Sequence, residues 1–95
     1  MEFPEPVASG FTVYGKSGCS YCTKVKALLT EYEQEFTYVN CDEFLVEKEA
    51  FLAFIQGIAE KEHKTFPIIF RSKAFIGGYM DTLEFLRNTI ECLDK

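Results

Sequence analysis

Short apolar segments alternate with longer, helically spaced ones along the first half of the chain. The β-branched and aromatic run Phe11–Tyr14 predicts a first strand. Apolar residues then recur at helical spacing over about Tyr21–Glu33, which predicts the first helix. Phe36–Val39 predicts a second strand. A strand, a helix and a strand within about 30 residues indicate a βαβ unit with parallel strands.

The second half of the chain predicts a helix, a hairpin and a final helix. Phenylalanines and isoleucines form one stripe over about Phe44–Lys61, which predicts a long amphipathic helix. The apolar runs Pro67–Phe70 and Ala74–Ile76 are close enough for an antiparallel hairpin. Asp81 and Glu84 predict a capping box for the last helix, with Asp81 as N-cap. The inward face of that helix is predicted to carry Leu83, Leu86, Ile90 and Leu93.

The order β-α-β-α-β-β-α predicts an α/β fold with a mixed four-stranded sheet. A chain of 95 residues favours one domain over 1–95. Residues 1–9 are expected to be a loose leader, because Pro4 and Pro6 discourage regular structure. The net charge of −5 argues against a nucleic-acid binder, which would normally be basic. No apolar run approaches the roughly 18 residues of a membrane span.

The cysteine content bears on the compartment. The N-terminal residues are acidic and proline-rich where a signal peptide would be basic and then apolar, so an intracellular, reducing location, the cytoplasm, is expected. Paired cysteines in such a compartment are more often catalytic or metal-binding than structural. Four cysteines in 95 residues are sparse for a disulfide scaffold, which is a minor alternative.

Cys19 and Cys22 lie at the predicted turn between the first strand and the first helix. Cys19 is expected at or just before the helix N-terminus, where unpaired N–H groups and the helix dipole favour a thiolate. Such a position and a nearby cation, here Lys16, lower a cysteine pKa from about 8.5 to roughly 3.5–7.5. We therefore expect Cys19 to attack and Cys22, one turn further in, to resolve the mixed disulfide.

A zinc site is the other interpretation of the cysteine pair. Structural zinc usually needs four Cys or His ligands, often as two such pairs. Cys41 and Cys92 are single, and His63 is the only histidine of the sequence. No metal ligand is therefore assigned, and neither of the single cysteines receives a catalytic role. His63 and the charged run Glu60–Glu62 are expected to form a solvated helix end.

Two further motifs follow the predicted long helix. Pro67 opens a strand. If its peptide bond is cis, an extended peptide could pair with the Phe66 backbone. An ordinary trans proline that starts an edge strand is the alternative. The pair Gly77 and Gly78 permits close backbone approach. The helix start after it offers free N–H groups to a carboxylate, although the segment could also be a simple turn.

Taken together, these motifs resemble the dithiol glutaredoxins over about Phe11 to Leu93. The motifs that carry the resemblance are Lys16, Cys19-Ser20-Tyr21-Cys22, Thr65-Phe66-Pro67 and Gly77-Gly78-Tyr79-Met80-Asp81. The resemblance implies a thioredoxin-like fold with Pro67 in cis. It also implies glutathione as cosubstrate and reductant, with Cys19 as nucleophile and Cys22 as resolving thiol.

The resemblance also implies a glutathione-binding groove. Lys16 and Lys64 would engage the glycyl carboxylate, and the Phe66 main chain would pair with the cysteinyl backbone. The γ-glutamyl carboxylate would lie on the backbone at Met80 and Asp81, with the Asp81 side chain taking the ammonium. The full implied set is Lys16, Tyr21, Lys64, Phe66, Pro67, Gly78, Met80 and Asp81.

The implied activity is reduction of protein–glutathione mixed disulfides and of protein disulfides by a monomer, with ribonucleotide reductase as one candidate substrate. Ser20 departs from the usual proline. Some relatives with a Cys-Ser-Tyr-Cys site hold a 2Fe-2S cluster between two protomers through the first cysteine and glutathione, so a cluster-binding dimer is the alternative function. A thioredoxin-type reductase is a third hypothesis, but the chain has no tryptophan and lacks that family's Trp-Cys-Gly-Pro-Cys site.

Overall fold

The helices and strands follow the order that the sequence predicts. The structure, a computed structural model, describes residues 2–90. Its elements are β1 (Phe11–Gly15), α1 (Ser20–Glu31), β2 (Phe36–Asn40), a 3₁₀ helix (Asp42–Glu47), α2 (Lys48–Ala59), β3 (Ile68–Arg71), β4 (Ala74–Gly77) and α3 (Tyr79–Thr89). No helix among these residues combines the length and apolar character needed to cross a bilayer.

The four strands form one mixed sheet in the order β2-β1-β3-β4. β1 pairs parallel with β2, placing Val13 opposite Tyr38, and antiparallel with β3, placing Val13 opposite Ile69. β3 and β4 form the antiparallel hairpin, with an irregular register between Ile69 and Phe70. The predicted mixed sheet is confirmed, and β1 is a central strand whose five residues are all buried.

Helices cover both faces of the sheet, as the alternation of side chains along β1 requires. Phe11 and Val13 belong to a hydrophobic cluster formed with α1 and α3, which includes Leu29 and Leu86. Tyr14 belongs to a second cluster on the opposite face, formed with α2 and the 3₁₀ helix. The carboxyl end of β1 therefore emerges between two packed layers, directly before the cysteine motif.

The predicted long helix Phe44–Lys61 is wrong at both ends. The chain first forms the 3₁₀ helix, where the N–H groups of Phe44 and Leu45 both donate to Cys41 O. Asn40 Oδ1 accepts the Asp42 N–H at 2.9 Å, a local side-chain bond that competes with a regular α-helical start. α2 ends at Ala59, because Glu60 adopts a left-handed conformation at φ 57° and its N–H donates to Gln56 O.

The predicted capping box of the last helix also needs correction. Gly78 is the N-cap of α3, and Asp81 lies at the third helical position instead. The Asp81 carboxylate accepts the Gly78 N–H at 3.0 Å, so this acid reaches back to the cap rather than forming it. Glu84 takes no part in the box. Leu86 is buried and Leu83 and Ile90 are partly buried as predicted, whereas Leu93 lies outside the described residues.

The N-terminal leader is packed rather than loose over the part that the structure describes. The Phe3 ring has centroid distances of 5.4, 5.3 and 5.5 Å to Phe44, Phe51 and Phe54. The buried Tyr14 hydroxyl, whose pKa is raised by burial, donates to Pro4 O at 2.6 Å. A buried hydroxyl needs a partner, and here the leader supplies it.

One side chain ties the loop after β1 to the 3₁₀ helix. The Ser17 N–H donates to Asp42 Oδ1 at 2.9 Å, and the Ser17 hydroxyl donates to Oδ2. The Ser17 hydroxyl, then the Ser17 N–H and the Lys16 charge, hold the pKa of the Asp42 carboxyl below its ordinary value. No local motif predicts this role for Asp42, because its partner is 25 residues away in the chain.

We predict that Phe3→Ala lowers the free energy of unfolding by roughly 1–3 kcal/mol, because it removes a partly buried ring from an aromatic cluster. Urea denaturation measures the change. Glu2→Ala, a neighbouring exposed position, is the control and is expected to stay within about 0.5 kcal/mol of the parent. Equal stabilities for the two variants would show that the leader packs without consequence.

We predict a pH-dependent loss of stability for Asp42→Asn. A depressed folded-state pKa means that the ionised carboxyl stabilises the fold above its unfolded pKa of about 3.9. That stabilisation disappears as the pH falls through the folded pKa. The Tm difference from the parent should therefore be largest near neutral pH and shrink below about pH 4. Glu43→Gln, an exposed carboxylate one position along, is the control, and a Tm difference that ignores pH would contradict the assignment.

Candidate redox site

Cys19 is the N-cap residue of α1. Its backbone is extended, at φ −103° and ψ 107°, and its Sγ accepts the Cys22 N–H at 3.1 Å. The first turn of α1 carries no acidic residue that would oppose a negative sulfur. The structure thus places Cys19 where sequence analysis expected it, with a backbone donor and the positive end of the helix directed at the sulfur.

The two cysteine sulfurs are joined as a disulfide, with their Cα atoms 5.3 Å apart. Cys22 is only 1% exposed, because it lies within the first turn of α1 and faces the core. Cys19 is partly exposed. Of the two residues, Cys19 is therefore the one that is accessible from the surface.

A cleft of about 250 Å³ opens beside the start of α1. The peptide bond between Phe66 and Pro67 is cis, as the resemblance implies. The Tyr21 ring, half exposed, contacts the Tyr79 ring across the cleft at a centroid distance of 5.5 Å. Six of the implied site residues line this cleft: Tyr21, Phe66, Pro67, Gly78, Met80 and Asp81.

The two implied lysines line a neighbouring cleft instead. Lys16 and Lys64 share it with Lys48, and the two clefts meet at Thr65 and Phe66. Lys16 Nζ lies 5.5 Å from the centre of the Phe66 ring. Lys64 Nζ lies 3.7 Å from the Glu62 carboxylate, a solvent-exposed pair that restrains the lysine little. The joined clefts thus carry positive charge at one end and Asp81 at the other. No motif marks Lys48, which sequence analysis missed.

Gly77 makes room for the acidic end of the cleft. Its φ of +132° disfavours other residues, and a Cβ at this position would collide with the Asp81 carboxylate. The glycine therefore lets Asp81 reach the Gly78 N–H. This explains the glycine at position 77.

The expected solvated position of His63 is wrong. The left-handed Glu60 ends α2, so the chain turns back and brings His63 to the cleft. The imidazole is partly buried, with its ring centroid 5.4 Å from that of Phe75. Its position two residues before the Thr-x-Pro motif was the one available signal. Thr65 and Tyr79 also line the cleft; they belong to motifs that sequence analysis quoted, but it did not assign them to the site.

Cys41 is fully buried and lies apart from this chemistry. Its thiol donates to Val39 O at 3.5 Å, and burial, reinforced by the Asp42 charge, raises the pKa of the thiol to about 12. At neutral pH it is therefore protonated and a poor nucleophile. Cys92 lies outside the described residues.

Residues 2–90 contain no cluster of candidate metal ligands. Within that range no group of three or more His, Cys, Asp and Glu side chains could hold a metal ion.

Known proteins share both sequence and fold with this chain. The Glutaredoxin family model matches residues 11–76. Glutaredoxin 1 of Escherichia coli K12 is 30% identical over 84 residues, covering 83% of this chain and 94% of the relative.

Solved structures agree with this match. Oxidised Escherichia coli glutaredoxin has a TM-score of 0.68 at 28% identity, covering 85% of this chain and 96% of that one. A buckwheat glutaredoxin solved as a complex with glutathione has a TM-score of 0.67 at 24% identity, covering 82% and 68%, which is a likeness of fold. With a matching sequence, a thioredoxin-like sheet and a cysteine pair at bonding distance, this chain belongs to the glutaredoxin family of thiol–disulfide oxidoreductases.

Proposed function

We propose that this protein uses glutathione to reduce protein–glutathione mixed disulfides and protein disulfides. The observation that carries the proposal is the partly exposed Cys19 at the helix N-terminus, beside joined clefts with opposite charges at their two ends. Glutathione is an extended tripeptide with a carboxylate at its glycyl end and a carboxylate and an ammonium at its γ-glutamyl end. Its charges therefore match the clefts in order.

The proposed binding mode assigns one part of glutathione to each part of the clefts. Lys16 and Lys64 attract the glycyl carboxylate, and the Phe66 backbone beside Pro67 pairs with the cysteinyl residue. The first N–H groups of α3, at Met80 and Asp81, lack partners inside the helix and suit the γ-glutamyl carboxylate.

The Asp81 side chain can serve two partners at once. Its carboxylate accepts one hydrogen bond from Gly78 N–H and retains further acceptor sites for the γ-glutamyl ammonium. Tyr21 closes the side of the cleft next to Cys19. The buckwheat complex, a protein of the same fold, supports glutathione as the ligand.

The proposed reaction is thiol–disulfide exchange at Cys19. Its thiolate attacks the glutathione sulfur of a mixed disulfide, forms a Cys19–glutathione disulfide and releases the protein thiolate. A second glutathione thiolate then attacks the bound glutathione sulfur, which releases oxidised glutathione and the Cys19 thiolate. The Cys22 N–H, 3.1 Å from Cys19 Sγ, stabilises the thiolate at the start and end of this cycle.

Protein disulfides need both cysteines. Cys19 first forms a mixed disulfide with the substrate, and the Cys22 thiolate then attacks Cys19 Sγ. This step releases the reduced substrate and gives the Cys19–Cys22 disulfide, which is the state of the structure. Two glutathione molecules return it to the dithiol.

The cycle consumes reduced glutathione, so we propose that the protein acts in a reducing intracellular compartment such as the cytoplasm. One protomer holds every group that the reaction needs, and we propose a monomer. Its substrates are glutathionylated or disulfide-containing proteins, with ribonucleotide reductase as a candidate.

We predict different losses for the two cysteine variants. Cys19→Ser should abolish turnover of a glutathionylated peptide in an assay coupled to glutathione reductase, because no nucleophile remains at the helix end. Cys22→Ser should keep this activity but lose most reduction of a protein disulfide. Cys41→Ala is the control and should keep both activities. Unchanged turnover in Cys19→Ser would contradict the proposed function.

We predict that Lys16→Gln raises the KM for glutathione roughly 3- to 10-fold while leaving kcat within about twofold, because it removes a charge that attracts the glycyl carboxylate. The parent KM should also rise more steeply with salt than that of the variant. Lys73→Gln, in the β3–β4 turn, removes the same charge far from the clefts and is the control. Equal KM values for both variants would contradict the lysine assignment.

A further inference from the structure

The Nε2 atom of His63 is a buried polar atom that the described fold leaves without a role. It is buried and forms no hydrogen bond with any residue that the structure describes. Buried polar side-chain atoms are nearly always paired, so an unpaired one indicates a missing partner. The proposed redox chemistry of Cys19 and Cys22 does not involve this imidazole.

The imidazole edge that carries Nε2 faces the start of α3. A Cβ built on Gly78 would lie 3.7 Å from His63 Cε1 and 3.9 Å from Nε2. Gly78 is the N-cap, so this edge lies next to the first N–H groups of α3. The Phe75 ring packs at a steep angle of 67° against the imidazole and supports it from behind.

None of the described protein groups around Nε2 forms a hydrogen bond with it, so its partner has to come from the cleft. Asp81 supplies the one carboxylate among the residues that line the cleft, and it forms no hydrogen bond with Nε2. The carbonyl oxygen of Pro67 would lie 3.7 Å from a Cβ built on Gly78, but it accepts no hydrogen bond from Nε2. His63 itself lines the cleft, so a molecule bound there is the remaining source of a partner, which Nε2 would reach by a turn of the ring about the Cβ–Cγ bond.

We propose that His63 is a ligand-contacting residue whose Nε2–H donates a hydrogen bond to the γ-glutamyl carboxylate of bound glutathione. This inference rests on the proposed function, because it adds a side-chain donor to the carboxylate site at the start of α3. A carboxylate is the fitting partner, since an anion is already favoured at this helix end. The imidazole thereby selects ligands that carry a γ-glutamyl group.

The binding test uses S-methylglutathione, which keeps both carboxylates and the ammonium but cannot exchange disulfides. His63→Phe keeps an aromatic ring against Phe75 and removes the donor, and should raise Kd about 3- to 10-fold, the effect of one hydrogen bond. His63→Gln places an amide N–H near the Nε2 position and should restore most of the affinity. Lys61→Gln, an exposed position in the same segment, is the control and should bind like the parent.

Two further measurements separate ligand contact from a structural role. His63→Phe should unfold at the same Tm or higher, because it replaces an unpaired buried nitrogen with an apolar edge. S-methyl-cysteinylglycine, which lacks the γ-glutamyl group, should bind the parent and His63→Phe equally. A lowered Tm, or the same loss of affinity for both ligands, would overturn the proposal.

The single histidine gives a test without substitution. In a protein made without a histidine tag, one set of imidazole signals appears in ¹H–¹⁵N correlation spectra. The Nε2 signal should shift on addition of S-methylglutathione and stay in place with S-methyl-cysteinylglycine. Parent protein that binds no S-methylglutathione by any signal would refute the proposed function itself, whereas binding that leaves Nε2 and the His63→Phe affinity unchanged would refute this inference alone.

Discussion

The bond from the Cys22 N–H to Cys19 Sγ depends on where α1 begins, and the rest of the fold fixes that point. β1 is buried on both faces and paired on both edges, so its carboxyl end has one direction in which to leave the sheet. Asp42 then holds the following loop through Ser17. With the strand and the loop held in this way, α1 begins directly after Cys19, and the Cys19 sulfur accepts the Cys22 N–H.

The fold was largely predictable because its signals are local. Strand β1 is marked by β-branched and aromatic residues and helix α1 by apolar residues at helical spacing, and the two-residue gap between β3 and β4 admits only a tight turn. That Pro67 and the pair Gly77 and Gly78 lie close to the start of α1 could be inferred only through the resemblance to a known family. Local spacing alone does not bring residues 21, 66 and 78 to one cleft.

The errors have a common physical origin. The end of α2 depends on a single left-handed residue, Glu60, which no glycine or asparagine signals. Asp81 resembles an N-cap in sequence, but Gly77 leaves room for its carboxylate to accept the N–H of the actual cap, Gly78, three residues earlier. His63 and Asp42 gain their positions from partners distant in sequence, and such contacts leave no mark on local composition.

The packing of the leader affects how the chain can be divided. The family match starts at residue 11. The Phe3 ring nevertheless contacts α2 and the 3₁₀ helix, and Pro4 O accepts a hydrogen bond from the buried Tyr14 hydroxyl. A fragment expressed from Phe11 onward would uncover apolar surface on the helical layer opposite α1. Such a fragment would also leave a tyrosine hydroxyl without its acceptor, so boundaries drawn from family similarity alone would yield a less soluble protein.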